Sequence, residues 1–256
     1  MNIKIIVATH KPYFMPSDPV YLPLQAGADI NPPLSYARDN SGENISAKNR
    51  NFCELTCLYW AWKNLDADYL GLVHYRRHFS GNFSFNKKKR ILTQAQLEKI
   101  FASCDVIMPK KRNYFIENNY QQYVHAHHEE DLTVTRAVLE EKYPDYLPAY
   151  DTIMKRTDGY RFNMCIMKRD LMNNYCQWLF DILFEVEKRL DISNYSTYDA
   201  RVFGFISERL LDIWIEKNKP VLKTLPSVNL ESQHWPKKIY NFLLRKFFKG
   251  KYGKIQ

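Results

Sequence analysis

The chain opens on a nearly unbroken apolar run, Ile3 to Thr9 (IKIIVAT), followed by the polar turn His10-Lys11-Pro12. A half-exposed strand alternates apolar and polar positions, so a run apolar almost throughout predicts a strand covered on both faces, as in a parallel sheet. From Tyr13 to Asn44 the pattern dissolves into Pro, Asp, Asn and Gly, which predicts a long ordered loop with one short strand at Tyr21 to Gln25. Loops of this length in compact domains tend to carry function. Phe52, Leu55, Leu58, Tyr59 and Trp62 then recur at helical spacing behind Ser46, whose hydroxyl can cap, so one amphipathic helix is expected from about Ala47 to Lys63. Asn64 and the triplet Asp66-Ala67-Asp68 stop it. Tyr69 to Val73 reads as a second buried strand that runs directly into His74-Tyr75-Arg76-Arg77-His78.

Gly81 to Arg90 is polar and basic and predicts a loop. Thr93 is placed to cap a helix over Ala95 to Ser103, and Asp105 to Met108 is another short buried strand closed by Pro109. Strands alternating with helices in this way mean a parallel-rich sheet with helices on its faces. Beyond Lys110 the pattern predicts a helix over Leu132 to Tyr143, a break at Pro144 to Pro148 and a strand over Tyr160 to Met167. Long helices over Asp170 to Leu190 and Arg201 to Asn218 follow, with a polar turn between them and a last strand near Val221 to Pro226. The expected architecture is one compact α/β unit with two functional halves, 1–110 and 111–230, and a distinct segment 231–256.

Charge sets that last segment apart. The net charge is +9, and from Trp235 onward there are seven Lys or Arg and no acid, so the body is close to neutral. A nucleic-acid binder with a basic face is therefore disfavoured. Between those bases stand Ile239, Tyr240, Phe242, Leu243, Leu244, Phe247 and Phe248. Aromatics interleaved with ammonium groups suit an anionic membrane surface, so Trp235 to Lys254 is expected to associate with one. No apolar run is long enough to span a bilayer, and the stretch MNIKIIVATHK is too short in apolar residues for a secretory signal. Five cysteines, odd in number and without a C-x-x-C pair, fit buried thiols in a reducing cytoplasm.

The candidate chemistry gathers where the first two buried strands end. Ligands of open α/β sheets bind beyond the carboxyl ends of strands, so His74, Tyr75, Arg76 and Arg77 form a candidate anion site. Asp39 to Gly42 leads to a helix start at Ser46, where amides and the helix dipole also favour an anion. His125, His127 and His128 beside Glu129, Glu130 and Asp131 invite a metal reading, although no metal-ligand spacing is met.

The words IVATHK, GENISAKN, ELTCLYWAWKN, YLGLVHYRRHF, FNMCIMK and RVFGFISERLLDIW, in that order, resemble a bacterial family of capsular and exopolysaccharide biosynthesis glycosyltransferases, long catalogued as a domain of unknown function. The likeness runs to about Asn229. Some members are associated with galactofuranosyl transfer. The resemblance implies a GT-A-type, Rossmann-like mixed sheet flanked by helices, a nucleotide diphosphate donor, UDP-linked, and a lipid-linked oligosaccharide acceptor at the inner face of the membrane. Such transferases commonly hold a divalent metal with Asp-x-Asp after a core strand. Here Asp66-Ala67-Asp68 precedes its strand and the strand ends in HYRR, so no cofactor is required, and the histidine group leaves a divalent cation open. The resemblance puts His10, Lys11 and Asp39 at the nucleoside, Asn44, Ser46, Lys48 and Asn49 near the diphosphate or sugar, and Asn163 and Arg201 at the acceptor. An inverting transfer needs a carboxylate to take the acceptor proton, Glu208 first and Asp199 second. The rival reading is a non-catalytic nucleotide- or polysaccharide-binding subunit of an assembly complex, which the missing Asp-x-Asp would suit.

Overall fold

In the computed structural model, residues 1–81, 83–114 and 116–231 are described; the basic aromatic segment expected to meet a membrane lies outside them. The strands are β1 Ile3–Thr9, β2 Tyr21–Gln25, β3 Ala37–Arg38, β4 Tyr69–His74, β5 Arg77–Phe79, β6 Val106–Pro109, β7 Arg112–Asn113, β8 Asp158–Gly159, β9 Cys165–Lys168, β10 Leu222–Leu225 and β11 Ser227–Asn229. The helices are α1 Asn49–Phe52, α2 Leu55–Asn64, α3 Gln94–Phe101, α4 Asn119–Ala126, α5 Glu129–Lys142, α6 Leu147–Lys155, α7 Arg169–Arg189 and α8 Val202–Asn218.

The main sheet runs in the order β10-β6-β9-β4-β1-β2-β3. β1 is parallel to both β2 and β4, and β9 is antiparallel to its neighbours β4 and β6. β9 inserts a strand from the second half of the chain between two from the first, so both halves share one sheet. Alternation sorts the side chains: Ile6, Ala8, Leu70, Leu72, Val106, Met108, Cys165 and Met167 face the layer built by α2, α5, α6, α7 and α8. Ile3, Ile5, Val7, Tyr69, Val73, Ile107 and Ile166 face the opposite layer, with Leu97 and Phe101 of α3 and Val228 of β11. This is the mixed, helix-flanked sheet expected. Covering both faces explains why β1 and β4 read as unbroken apolar runs.

Three expectations need correction. The single helix over 47–63 is broken: a 3₁₀ turn at Ser46–Lys48 leads into α1, and Cys53, at φ 51°, turns the chain before α2. Ser46 makes no side-chain cap there. The strand over 160–167 is reduced to β9, because Phe162 and Asn163 take φ of 76° and 53°. Finally, α6 starts at Leu147, inside the expected break, with Pro148 in its first turn, where a missing N–H costs nothing.

Candidate active site

β1 and β4 deliver their polar sequels to one edge. His10 packs edge-on against Tyr75, with ring centroids 5.3 Å apart, and Lys11 lies 5.0 Å from the Tyr75 ring centroid. Burial and the fields of Lys11, Arg76 and Arg201 hold the His10 imidazole below its ordinary value, so four cationic or potentially cationic groups share this edge. Glu231 answers two of them, at 3.1 Å from Arg76 and 3.7 Å from Lys11.

Arg77 turns inward. Its guanidinium lies 3.5 Å from the centroid of the Phe162 ring, and burial, with Arg76 beside it, brings it down to about 10 against the pull of Glu208 and Glu54. It keeps its charge at neutral pH. Glu208, on α8, accepts the Phe162 N–H at 2.9 Å, and His74 Nε2 donates to the Phe162 carbonyl at 2.6 Å. The backbone around Phe162 is thereby tied both to the end of β4 and to the carboxylate of α8. Asn163 is buried and bonds Glu54 at 2.8 Å and the Gly204 carbonyl at 3.1 Å, while its own oxygen accepts from Ser207 at 3.0 Å. Arg201 donates to Cys53 Sγ at 3.2 Å. Of the four non-glycine residues with positive φ among the described residues, Cys53, Phe162 and Asn163 belong to this one neighbourhood. Strained backbone of this kind persists where the surroundings over-determine it, and it clusters at functional sites.

The Asp39 to Asn49 stretch is built differently. Asp39 is fully buried, and its carboxylate accepts from the amides of Gly27 and Ala28 and from the hydroxyls of Ser46 and Thr56, at 2.5–2.9 Å. Gly27 allows this: its φ is 65°, and a Cβ there would lie 2.6 Å from Asn49. Asn44 bonds the Gly42 carbonyl and the Ser46 amide, Asn49 bonds the Cys53 carbonyl and Thr56, and Lys48 pairs with Glu187 of α7 at 2.7 Å. Asp39 thus shapes the wall beside β2 without opening onto the edge.

Asp199, the second candidate base, is buried at the foot of α8. It accepts from Ser196 Oγ at 2.6 Å, with His127 Nδ1 and His128 Nε2 each 3.8 Å away. His125 turns instead to Glu117 at 2.9 Å. Among the described residues no three His, Cys, Asp or Glu side chains are grouped to hold a metal ion. Asp68 accepts the Asn2 amide at 2.7 Å at the amino end of β4, opposite the cationic edge. Sequence reasoning missed Glu54, Phe162 and Glu231. Glu54 carried the only signal, a carboxylate placed directly before the apolar positions of α2.

A cationic edge over a mixed α/β sheet, faced by carboxylates, suits a ligand that carries negative charge. The chain belongs to the family described as "Domain of unknown function (DUF4422)", whose model matches residues 4–219. It is also similar to the apo structure of the WbbM bifunctional glycosyltransferase, with a TM-score of 0.85 and 31% identity over 91% of this chain. The chain spans 46% of that protein's length. No curated protein matches. Among the described residues no helix is long and apolar enough to cross a membrane.

Proposed function

We propose that the chain transfers a sugar from a uridine diphosphate donor to a lipid-linked oligosaccharide, galactofuranose being the sugar the sequence resemblance suggests. The observation that carries this reading is the convergence of Lys11, Arg76, Arg77 and Arg201 on the carboxyl ends of β1 and β4, opposite Glu208. Guanidinium groups grip phosphate oxygens bidentately, so they can hold a diphosphate and stabilise it as it leaves. Glu208 takes the proton of the acceptor hydroxyl. The oxygen then bonds to the anomeric carbon on one face while the bond to the diphosphate breaks on the other, its electron pair departing with the leaving group. One oxygen of Glu208 is fixed by the Phe162 amide, which positions the other. The likeness to a bifunctional glycosyltransferase supports the reaction class. An enzyme of this kind works at the inner face of the cell membrane, where the basic stretch Trp235 to Lys254 would hold it.

The test is calorimetric titration with uridine diphosphate, with and without EDTA. Arg76→Ala combined with Arg77→Ala should weaken binding about 100-fold, since charged hydrogen bonds contribute about 1.5–3 kcal/mol each, while EDTA should change nothing. Binding that needs a divalent metal, or survives the double substitution intact, would overturn the arginine-held donor site.

A further inference from the structure

The described surface carries few large exposed apolar side chains, and the two most exposed stand together. Phe83 is 83% exposed and Phe85 is 93% exposed, with ring centroids 5.6 Å apart. They lie in the loop from β5 to α3, and four bases follow directly: Lys87, Lys88, Lys89 and Arg90, in a segment without a single Asp or Glu from Ser80 to Thr93. Paired exposed phenylalanines ordinarily mark a surface waiting for an apolar neighbour.

The base of the loop is fixed. Ser80 and Ile91 form a bridge, Gly81 donates to the Arg90 carbonyl at 2.9 Å, and Leu92 donates to that of Phe79 at 3.2 Å. The basic turn Lys87–Arg90 is a 3₁₀ turn capped by the Asn86 side chain, which accepts from the Lys88 amide at 3.0 Å. Arg90 stands 5.4 Å from the centroid of the Phe83 ring. The loop also joins the candidate active site. Lys87 Nζ donates to the Glu231 carbonyl at 3.2 Å, and the Glu231 side chain is the one that pairs with Lys11 and Arg76. Lys88 lies 4.2 Å from the ring centroid of Phe14, which follows β1. Residue 231 stands, in turn, four positions ahead of Trp235, from which the chain has seven Lys or Arg and no acid. Loop and site mouth therefore share one end of the molecule, joined there through Glu231.

We propose that this loop is a membrane-seating finger: Phe83 and Phe85 enter the acyl boundary of an anionic bilayer while Lys87, Lys88 and Lys89 meet its headgroups. An anionic lipid surface fits because it alone offers an apolar layer directly beneath negative charge, matching side-by-side aromatics and ammonium groups. A finger beside Lys11 and Arg76 sets the site at the height where a lipid-carried acceptor emerges. It deepens the proposed function and rests on that reading for its purpose, yet it is tested without donor or acceptor.

The experiment uses the full chain and vesicles of phosphatidylcholine with or without 30% phosphatidylglycerol. An environment-sensitive probe attached through Phe85→Cys should shift to the blue and be quenched by nitroxide lipids on anionic vesicles only. Phe83→Ser with Phe85→Ser should lower vesicle partitioning about tenfold or more, the scale of withdrawing two buried aromatic side chains. Because both side chains are exposed, the melting temperature should not move. Lys87→Gln with Lys88→Gln and Lys89→Gln should weaken binding to anionic vesicles and flatten its salt dependence. A probe that stays in water while the protein is bound would overturn the finger and leave the anchoring to Trp235 to Lys254. Absence of vesicle binding would overturn it as well, as would a probe response to a single-stranded oligonucleotide equal to that seen with vesicles. Uridine diphosphate titration of the same variants reports the donor site separately, so loss of the finger and loss of the transferase reading give different results.

Discussion

Two stretches rich in polar residues were both expected to hold the donor, and they differ in how their polar groups are used. Between Asp39 and Asn49 nearly every group is committed inside the chain: Asp39 to four donors, Ser46 to Asp39 and the Asp29 amide, Asn49 to Cys53 and Thr56, Lys48 to Glu187. At the ends of β1 and β4, Lys11 and Arg76 keep side-chain exposures of 45% and 44% and share one carboxylate. Burial makes an unpaired polar group costly, so a buried cluster is closed by intramolecular bonds and keeps little for a ligand. Capacity to bind depends on what is left unspent, and this is the ground for proposing the strand ends as the donor site.

The largest expected effect breaks the comparison at its catalytic side. Glu208→Gln keeps the shape and the bond from Phe162 while removing the proposed base, and should lower turnover by about 10²–10⁴-fold with uridine diphosphate affinity nearly unchanged. Asp199→Asn, buried beneath two histidines, should instead register as lost stability of about 1–3 kcal/mol. Sugar transfer measured beside urea unfolding separates the two; a folded Asp199→Asn protein without turnover would move the base away from the open edge.

Next in size comes Asp39→Ala. It strips the acceptor from two amides and two hydroxyls and should cost about 3 kcal/mol in denaturant unfolding, whereas donor affinity per folded molecule should hold within about twofold. A loss of affinity without a loss of stability would return Asp39 to the nucleoside pocket.

Long periodic elements were legible. The helix expected over Asp170 to Leu190 is α7 Arg169–Arg189, that over Arg201 to Asn218 is α8 Val202–Asn218, and Thr93 caps α3 through a capping box with Gln96. The break at Cys53 was not, because the apolar spacing keeps its phase through it. Its cause is tertiary: a Cβ added at Gly204 of α8 would lie 3.4 Å from Cys53 Sγ, so the kink nests against a residue 151 positions on. α4 had a readable signal in the Asn118 and Gln121 capping box, but its polar composition hides any apolar stripe. At the site, HYRRH was visible as chemistry, while the pairing of Phe162 with Arg77 and of Glu54 with Asn163 depends on left-handed residues in a stretch whose composition reads as a strand.

The smallest expected effect sharpens the boundary between the two regions. Lys48 carries the charge a diphosphate would want and stands at a helix start, yet both Glu187 oxygens lie within 2.8 Å of its ammonium. The pair is half exposed, so Glu187→Gln should cost less than about 1 kcal/mol of stability. Lys48→Met should leave uridine diphosphate affinity within about twofold of wild type, as expected of a group already committed elsewhere. If Lys48→Met weakened the donor tenfold while Glu187→Gln strengthened it, the ammonium would be exchanging between carboxylate and phosphate. The stretch around Ser46 would then count as part of the open edge, with Glu187 acting as the placeholder that the donor displaces.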